Sequence, residues 1–274
     1  MKSRASTKGV YLYCFAYSAL LPPIQGTGVD GARTLFSTSF KDLVAVVSPV
    51  LLDEFCGGSA ESRMQDLLWV GPRAYHHEDV VEWVMLHSPC LPVRFGTIFR
   101  SVKSLGHRMK HHYVPIIKFL GRVSDKEEWA VKGILDRTRT RECLFAENLA
   151  REKKRLDGLS AGMRYLEEKR IASKVETELN VRIEKERANL AKALEGFATE
   201  FSERKVLPRA ASGDETMVMV WNLAFLVPRA AVPNFRVQID RWNARPDQTG
   251  LVCELSGPWP PYSFSPQLDL EAES

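Results

Sequence analysis

Ser160-Ala161-Gly162-Met163-Arg164-Tyr165-Leu166-Glu167-Glu168-Lys169-Arg170-Ile171 opens the stretch on which the reading of the whole chain turns. Just before it, Asp157-Gly158-Leu159-Ser160 supplies a helix-ending glycine and then a new N-cap serine. Residues 139–205 are otherwise almost entirely helix formers, dense in Glu, Lys and Arg, so the interruption predicts one short helix and one very long one. Along the second, Met163, Leu166, Ile171, Val175, Leu179, Ile183, Leu190, Leu194, Phe197 and Phe201 form an apolar stripe spaced mostly by three, four or seven. About forty helical residues at 1.5 Å each reach on the order of 60 Å, longer than a small domain is wide. Part of this helix must therefore project or pair with another. The heptad is imperfect, which favours an antiparallel hairpin with a helix over residues 141–156 rather than an intermolecular coiled coil. The charge runs 151–155 and 184–187 read as solvated faces.

Upstream of this stretch the pattern changes to strands. Residues 10–16 are aromatic and β-rich, and 34–39 and 42–50 follow, separated by turn-prone Gly26-Thr27-Gly28 and Lys41-Asp42. Tyr75, Val80, Trp83, Val84 and Leu86 then lie at helical spacing, with Gly71-Pro72 as a start signal and Pro89 as a stop. Residues 90–95 read as a short strand. Residues 99–120 read as an amphipathic helix on Val102, Leu105, Met109, Tyr113, Ile116 and Leu120, with a break near His111 forced by Pro115. A strand over 127–135 closes the first half. Downstream, 216–227 is a buried-type strand, 233–243 a short helix opening with proline, and 251–255 a last strand, followed by an acidic tail. The expectation is an α+β protein of two domains: an N-terminal α+β sandwich over 1–137 and a second domain over 138–264 with the helical hairpin. A disordered tail is expected over 265–274.

Composition bounds the function. At 274 residues with 45% hydrophobic content the chain can bury a substantial core, near the upper limit for one domain. Against 34 Asp and Glu stand 38 Lys and Arg, a net charge of +4, too small to argue for a nucleic-acid partner. No apolar run approaches the ~20 residues that cross a bilayer, so no membrane role is expected. Five scattered cysteines, with no C-x-x-C pair, fit neither a disulfide framework nor a zinc knuckle and point to a reducing, cytoplasmic setting.

No chemistry finds its motif. Gly57-Gly58-Ser59 lacks the spacing and the lysine of a phosphate loop, no G-x-S-x-G elbow occurs, and no cysteine carries a nucleophile signature. His107 and His111 have the i, i+4 spacing of a metal pair, with His112 beside them and His76 or His77 as a conceivable third ligand. But Arg108 and Lys110 would set positive charge against the ion, and exposed surface histidines are the better reading. No catalytic residue, cofactor or metal is assigned, and an enzyme is not expected.

Two stretches are less generic: Leu91-Pro92-Val93-Arg94-Phe95-Gly96-Thr97-Ile98-Phe99 and Gly257-Pro258-Trp259-Pro260-Pro261-Tyr262-Ser263-Phe264. In their order and spacing they resemble signatures of the GvpF/GvpL family of gas vesicle proteins. Tyr11-Leu12-Tyr13, His77-Glu78, Glu128-Trp129-Ala130-Val131-Lys132, Gly162 to Lys169 around Tyr165, and Asn222-Leu223-Ala224-Phe225-Leu226-Val227 fall where that family would put them. Departures are Pro115, in a helix the family leaves continuous, and residues 237–242, which are less alanine-rich than the family pattern.

The resemblance implies an N-terminal α+β domain, a C-terminal domain of modified ferredoxin-like type and a long helical element. It also implies a cytoplasmic role in gas vesicle formation, through contact with the hydrophobic shell protein GvpA and other accessory Gvp proteins, or alternatively as a minor component retained in the shell. Apart from GvpA, a monomer or small oligomer is expected. Arg94, Phe95, Gly96, Trp129, Tyr165, Gly257, Trp259, Pro260, Pro261 and Tyr262 are the signature residues. Trp259, Tyr262 and Phe264 are expected to pin the C-terminal segment over the core in preference to forming a partner surface, and Arg94 to sit in a buried intramolecular salt bridge in preference to holding an acidic partner residue.

Overall fold

The protein is described here by a computed structural model covering residues 7–55, 58–206, 217–245 and 250–270, backbone only at 58–61. It divides into two compact units. The first runs up to Glu127 and takes up the chain again from Trp259; the second is Glu128–Pro258.

The first unit is built on β1 (Lys8–Tyr17), whose residues are buried almost end to end because both of its neighbours and both of its faces are covered. β2 (Phe36–Phe40) and β3 (Leu43–Leu51) form an antiparallel hairpin through Lys41-Asp42, where Lys41 takes φ 56°. With β4 (Cys90–Pro92) the sheet order is β2-β3-β1-β4, and the short β5 (Ile98–Phe99) also pairs with β1. The predicted strands are thus present, the one expected over 90–95 being only three residues long.

Three helical segments follow β3. α1 (Leu52–Phe55) and α2 (Gly58–Gln65) have no counterpart in the sequence reading. α3 (Leu67–His87) starts five residues before the expected Pro72, because Asp66 caps it by accepting a hydrogen bond from the Leu68 amide at 3.0 Å. Pro72 is tolerated inside. Val80, Val81 and Val84 of α3 pack on Tyr11, Tyr13, Cys14, Val44 and Val46. The predicted break near His111 is real: α4 (Val102–His111) and α5 (Tyr113–Val123) meet at His112. Pro115 is the third residue of α5, where its missing N–H has no intrahelical acceptor to serve.

The second unit has the order β-α-α-β-β-α-β: β6 (Lys126–Asp136), α6 (Arg137–Leu156), α7 (Ala161–Glu195), β7 (Glu200–Glu203), β8 (Met217–Pro228), α8 (Val232–Asn243) and β9 (Leu251–Trp259). Its sheet runs β7-β8-β6-β9. This is a ferredoxin-like arrangement in which a helical pair replaces the first helix. α6 and α7 pack against each other in opposite directions, with Arg155–Glu167 close to the turn and Asn148–Glu178 farther from it. Ile171, Val175, Leu179, Ile183, Leu190 and Leu194 of α7 enter one core with Val131, Trp221, Phe225, Phe235 and Ile239.

Three expectations are corrected. The first domain does not extend to 137, because β6 lies in the second sheet, between β8 and β9. The long helix does not reach 205: it ends at Glu195, Gly196 is its C-cap, and Phe201 sits on β7 against Phe225, with ring centroids 5.4 Å apart. Residues 265–270 are not a loose tail but are held on the first unit, the His112 imidazole donating to the Asp269 carbonyl at 2.9 Å. Residues 271–274 lie outside those described.

Candidate functional site: the signature network and the exposed start of the long helix

Within the first unit the two signature segments meet through a buried polar network. His77 projects from the same face of α3 as Val81 and Val84 and is itself buried. Its Nδ1 lies 2.9 Å from the Tyr11 hydroxyl, and its Nε2 lies 3.2 Å from the Val93 carbonyl and 3.1 Å from the Tyr262 hydroxyl. Tyr11 also accepts from the Gly96 amide at 3.0 Å, and Tyr262 donates to Glu78 Oε1 at 2.9 Å.

Counting protons fixes the tautomer. The Val93 carbonyl can only accept, so Nε2 carries the hydrogen; Nδ1 then accepts from the single hydroxyl hydrogen of Tyr11. That count holds for the neutral ring, and neutrality itself comes from burial, which holds the imidazole down at about 4. Burial likewise drives the Tyr11 and Tyr262 phenols far above their ordinary range. It raises the Glu78 carboxyl, which the Tyr262 hydrogen bond partly offsets and Glu82 reinforces. Beside them Tyr13 accepts from the Val29 amide at 2.6 Å and shares a hydrogen with Ser48 at 2.8 Å; its phenol is pushed up to about 12, again mainly by burial.

Gly96, at φ 84°, can turn its amide onto Tyr11 at little conformational cost. Phe95 packs edge-on to both Tyr11 and His77, at centroid distances of 6.0 and 5.9 Å. Arg94 departs from expectation: it is exposed, and no acidic side chain meets it among the described residues. Arg94, Phe95, Gly96, Tyr262, Leu268 and Leu270 help wall a groove of about 520 Å³. Pro260 and Pro261 are buried, and Trp259 is exposed.

The remaining signature residues lie in the second unit. Trp129 is buried, with the Arg236 guanidinium 4.6 Å over its ring. Gly257 has φ 139°, and a Cβ there would stand 2.8 Å from the Glu128 carbonyl and 3.1 Å from the Trp129 ring. Tyr165 is on the first turns of α7 and exposed, with Lys169 Nζ 4.9 Å from its ring. Its neighbours Met163 and Leu166 are exposed too, at 51% and 59%.

His107 and His111 stand exposed on α4, while His76 and His77 belong to α3. No group of three His, Cys, Asp or Glu able to hold a metal occurs among the described residues. No described helix is long and apolar enough to cross a membrane. The sequence reading missed His77 and Tyr11 as the hub joining the two signatures; the one local signal was the 77, 81, 84 spacing that sets His77 on an apolar face.

Fold and network define a class: a two-unit α+β protein with a modified ferredoxin-like second unit, whose signature segments serve as structural anchors. The same fold is seen in the crystal structure of the gas vesicle protein GvpF from Anabaena sp. PCC7120, with TM-score 0.71, 19% identity, and coverage of 95% of this chain and 99% of that one. It is also seen in GvpF from Microcystis aeruginosa, with TM-score 0.65, 18% identity, and coverage of 94% and 99%. A family model described as gas vesicle synthesis protein GvpL/GvpF matches residues 9–266, and the chain belongs to this family. Gas vesicle protein L of Streptomyces sp. (strain CB03234) is 24% identical over 257 residues, covering 93% of this chain and 91% of that protein. Gas vesicle protein F of the same strain is 27% identical over 197 residues, covering 69% and 75%.

Proposed function

We propose that this protein acts in the cytoplasm as an accessory factor of gas vesicle formation, binding the hydrophobic shell protein GvpA, alongside other accessory Gvp proteins, with no catalytic step of its own. A shell that excludes liquid water is built from apolar subunits that aggregate when free, so a soluble partner must cover that surface before assembly. The observation that carries the reading is the start of α7. The apolar stripe of this helix is buried from Ile171 onward, while Met163, Tyr165 and Leu166 remain exposed. Met163 and Leu166, three residues apart, share one face of the helix, with Tyr165 exposed on another, and such unpaired apolar and aromatic side chains suit capture of an apolar helix or strand.

The test is co-expression with the host's GvpA, followed by affinity capture and size exclusion of the soluble fraction. A soluble complex of defined stoichiometry is expected. If GvpA stays insoluble and uncaptured while this protein copurifies with washed vesicles, the reading gives way to a retained shell component.

A further inference from the structure

The face formed by α4 and α5 has a charge pattern unlike the rest of the chain. Residues 99–124 carry six Lys or Arg and three His, with no Asp or Glu. That excess is larger than the +4 of the whole chain, so the remainder is net acidic. Lys103, His107, Lys110 and His111 follow one another at helical spacing and are all exposed. Such a stripe, left without interspersed acids, repels itself and raises a positive potential over the surface.

The flank of α4 and α5 beside that stripe shows what the cationic surface accepts. Two guanidinium groups and one imidazole of α4 and α5 track along residues 264–269: Arg122 donates to the Phe264 carbonyl, His112 donates to the Asp269 carbonyl at 2.9 Å, and Arg108 meets the Asp269 carboxylate at 3.4 Å. Residues 265–270 have no regular secondary structure, and Leu268 and Leu270 turn to the groove beside them. Of these three contacts among the described residues, two read a polypeptide main chain and one reads a carboxylate. That combination selects an acidic peptide over a polyphosphate, which has no amide carbonyls to offer.

We infer that the α4–α5 face is a docking site for an acidic, extended peptide segment of a partner protein, and that this chain's own segment 265–270, which follows the buried anchor Phe264, is its resident, displaceable occupant. The site uses none of the residues at the exposed start of α7 and does not depend on GvpA being the partner there. Displacement is feasible because Asp269 reaches Arg108 from the solvent side, its own side chain 69% exposed, and ion pairs with one exposed partner at 3.4 Å hold weakly. A tethered occupant nevertheless competes at high effective concentration, so the free site is masked in the resting protein.

The test uses the full chain and a fluorescein-labelled synthetic peptide of residues 264–274, with binding read by fluorescence anisotropy at low and moderate salt. Asp269→Ala should loosen the resident segment and tighten peptide binding by about tenfold, whereas Arg108→Ala with Lys110→Glu should weaken it by about tenfold or more. A peptide with its Asp and Glu changed to Asn and Gln should bind at least about tenfold less well. Lys110 and Asp269 are exposed, so Lys110→Glu and Asp269→Ala also serve singly, with circular dichroism confirming the fold. The inference is overturned if no peptide binding appears even with Asp269→Ala, if the neutral peptide binds equally, if the cation substitutions change nothing, or if a DNA duplex of matched charge binds as tightly as the peptide. None of these results bears on GvpA capture, so the two readings fail separately.

Discussion

Tyr262 donates its hydroxyl hydrogen to Glu78 at 2.9 Å across 184 positions of sequence, and the same oxygen lies 3.1 Å from His77 Nε2. One phenol thus ties the returning C-terminal segment to α3. Tyr262→Phe removes that hydroxyl and leaves a half-buried carboxylate without its donor, which should destabilise the first unit by about 1–3 kcal/mol. Chemical denaturation checks it, and a double-mutant cycle with Glu78→Gln should recover part of the loss. Additive effects would mean that the two groups do not depend on each other.

The neutral His77 makes stability pH-dependent. Its folded value of about 4 is below the ordinary 6.5, so protonation favours the unfolded chain. The stabilisation is fully present above pH 6.5 and is lost as pH falls from there towards 4, by up to about 3 kcal/mol. Glu78, raised in the folded state, acts in the opposite sense, because acid relieves its buried charge. Tyr11, Tyr13 and Tyr262, the other titratable groups around the ring, stay protonated throughout. The stability difference between the natural protein and His77→Gln should therefore shrink between pH 7.5 and 4.5 in urea titrations. A constant difference would show that the ring does not titrate in this way.

Much of this architecture is local and so legible in sequence. The 171–194 stripe of α7 and the break before Pro115 follow from helix period and proline chemistry. Where the chain was misread, the deciding partner is remote. Leu194, Phe197 and Phe201 continue a helical spacing, yet Phe201 belongs to β7 because β8 offers it Phe225. β6 looks like the end of the first half until its sheet neighbours β8 and β9 are known. The hub His77 could be placed on a buried face from its spacing, but nothing near it announces Tyr262. The pairing chemistry of arginine predicts a buried ion pair for Arg94, whereas β4 ends at Pro92 and its side chain stands outside.

Two glycines in different settings, Gly257 of the closing signature and Gly162 near the start of α7, should respond in opposite directions. Gly257→Ala forces a side chain into φ 139° and against the Glu128 carbonyl and Trp129 ring, so the second unit should lose about 2 kcal/mol or more. Gly162→Ala, near the start of α7, meets nothing within 4 Å and should gain up to about 1 kcal/mol from helix propensity. Thermal unfolding of both variants decides; equal effects would mean that neither backbone is constrained as described.

The exposed start of α7 gives a clean separation of binding from folding. Met163 and Leu166 lie on the surface, so Met163→Ser with Leu166→Glu removes apolar area without opening a cavity, and the melting temperature should barely move. Capture of GvpA in co-expression should nevertheless fall by about tenfold or more, as happens when central apolar anchors of an interface are replaced by charge. Glu184→Gln on the same helix, exposed but paired with Arg187, serves as the control and should leave capture unchanged. Undiminished capture by the double variant would move the GvpA contact away from α7. Loss of capture together with loss of thermal stability would mean that the start of α7 supports the hairpin with α6 rather than presenting a surface to a partner.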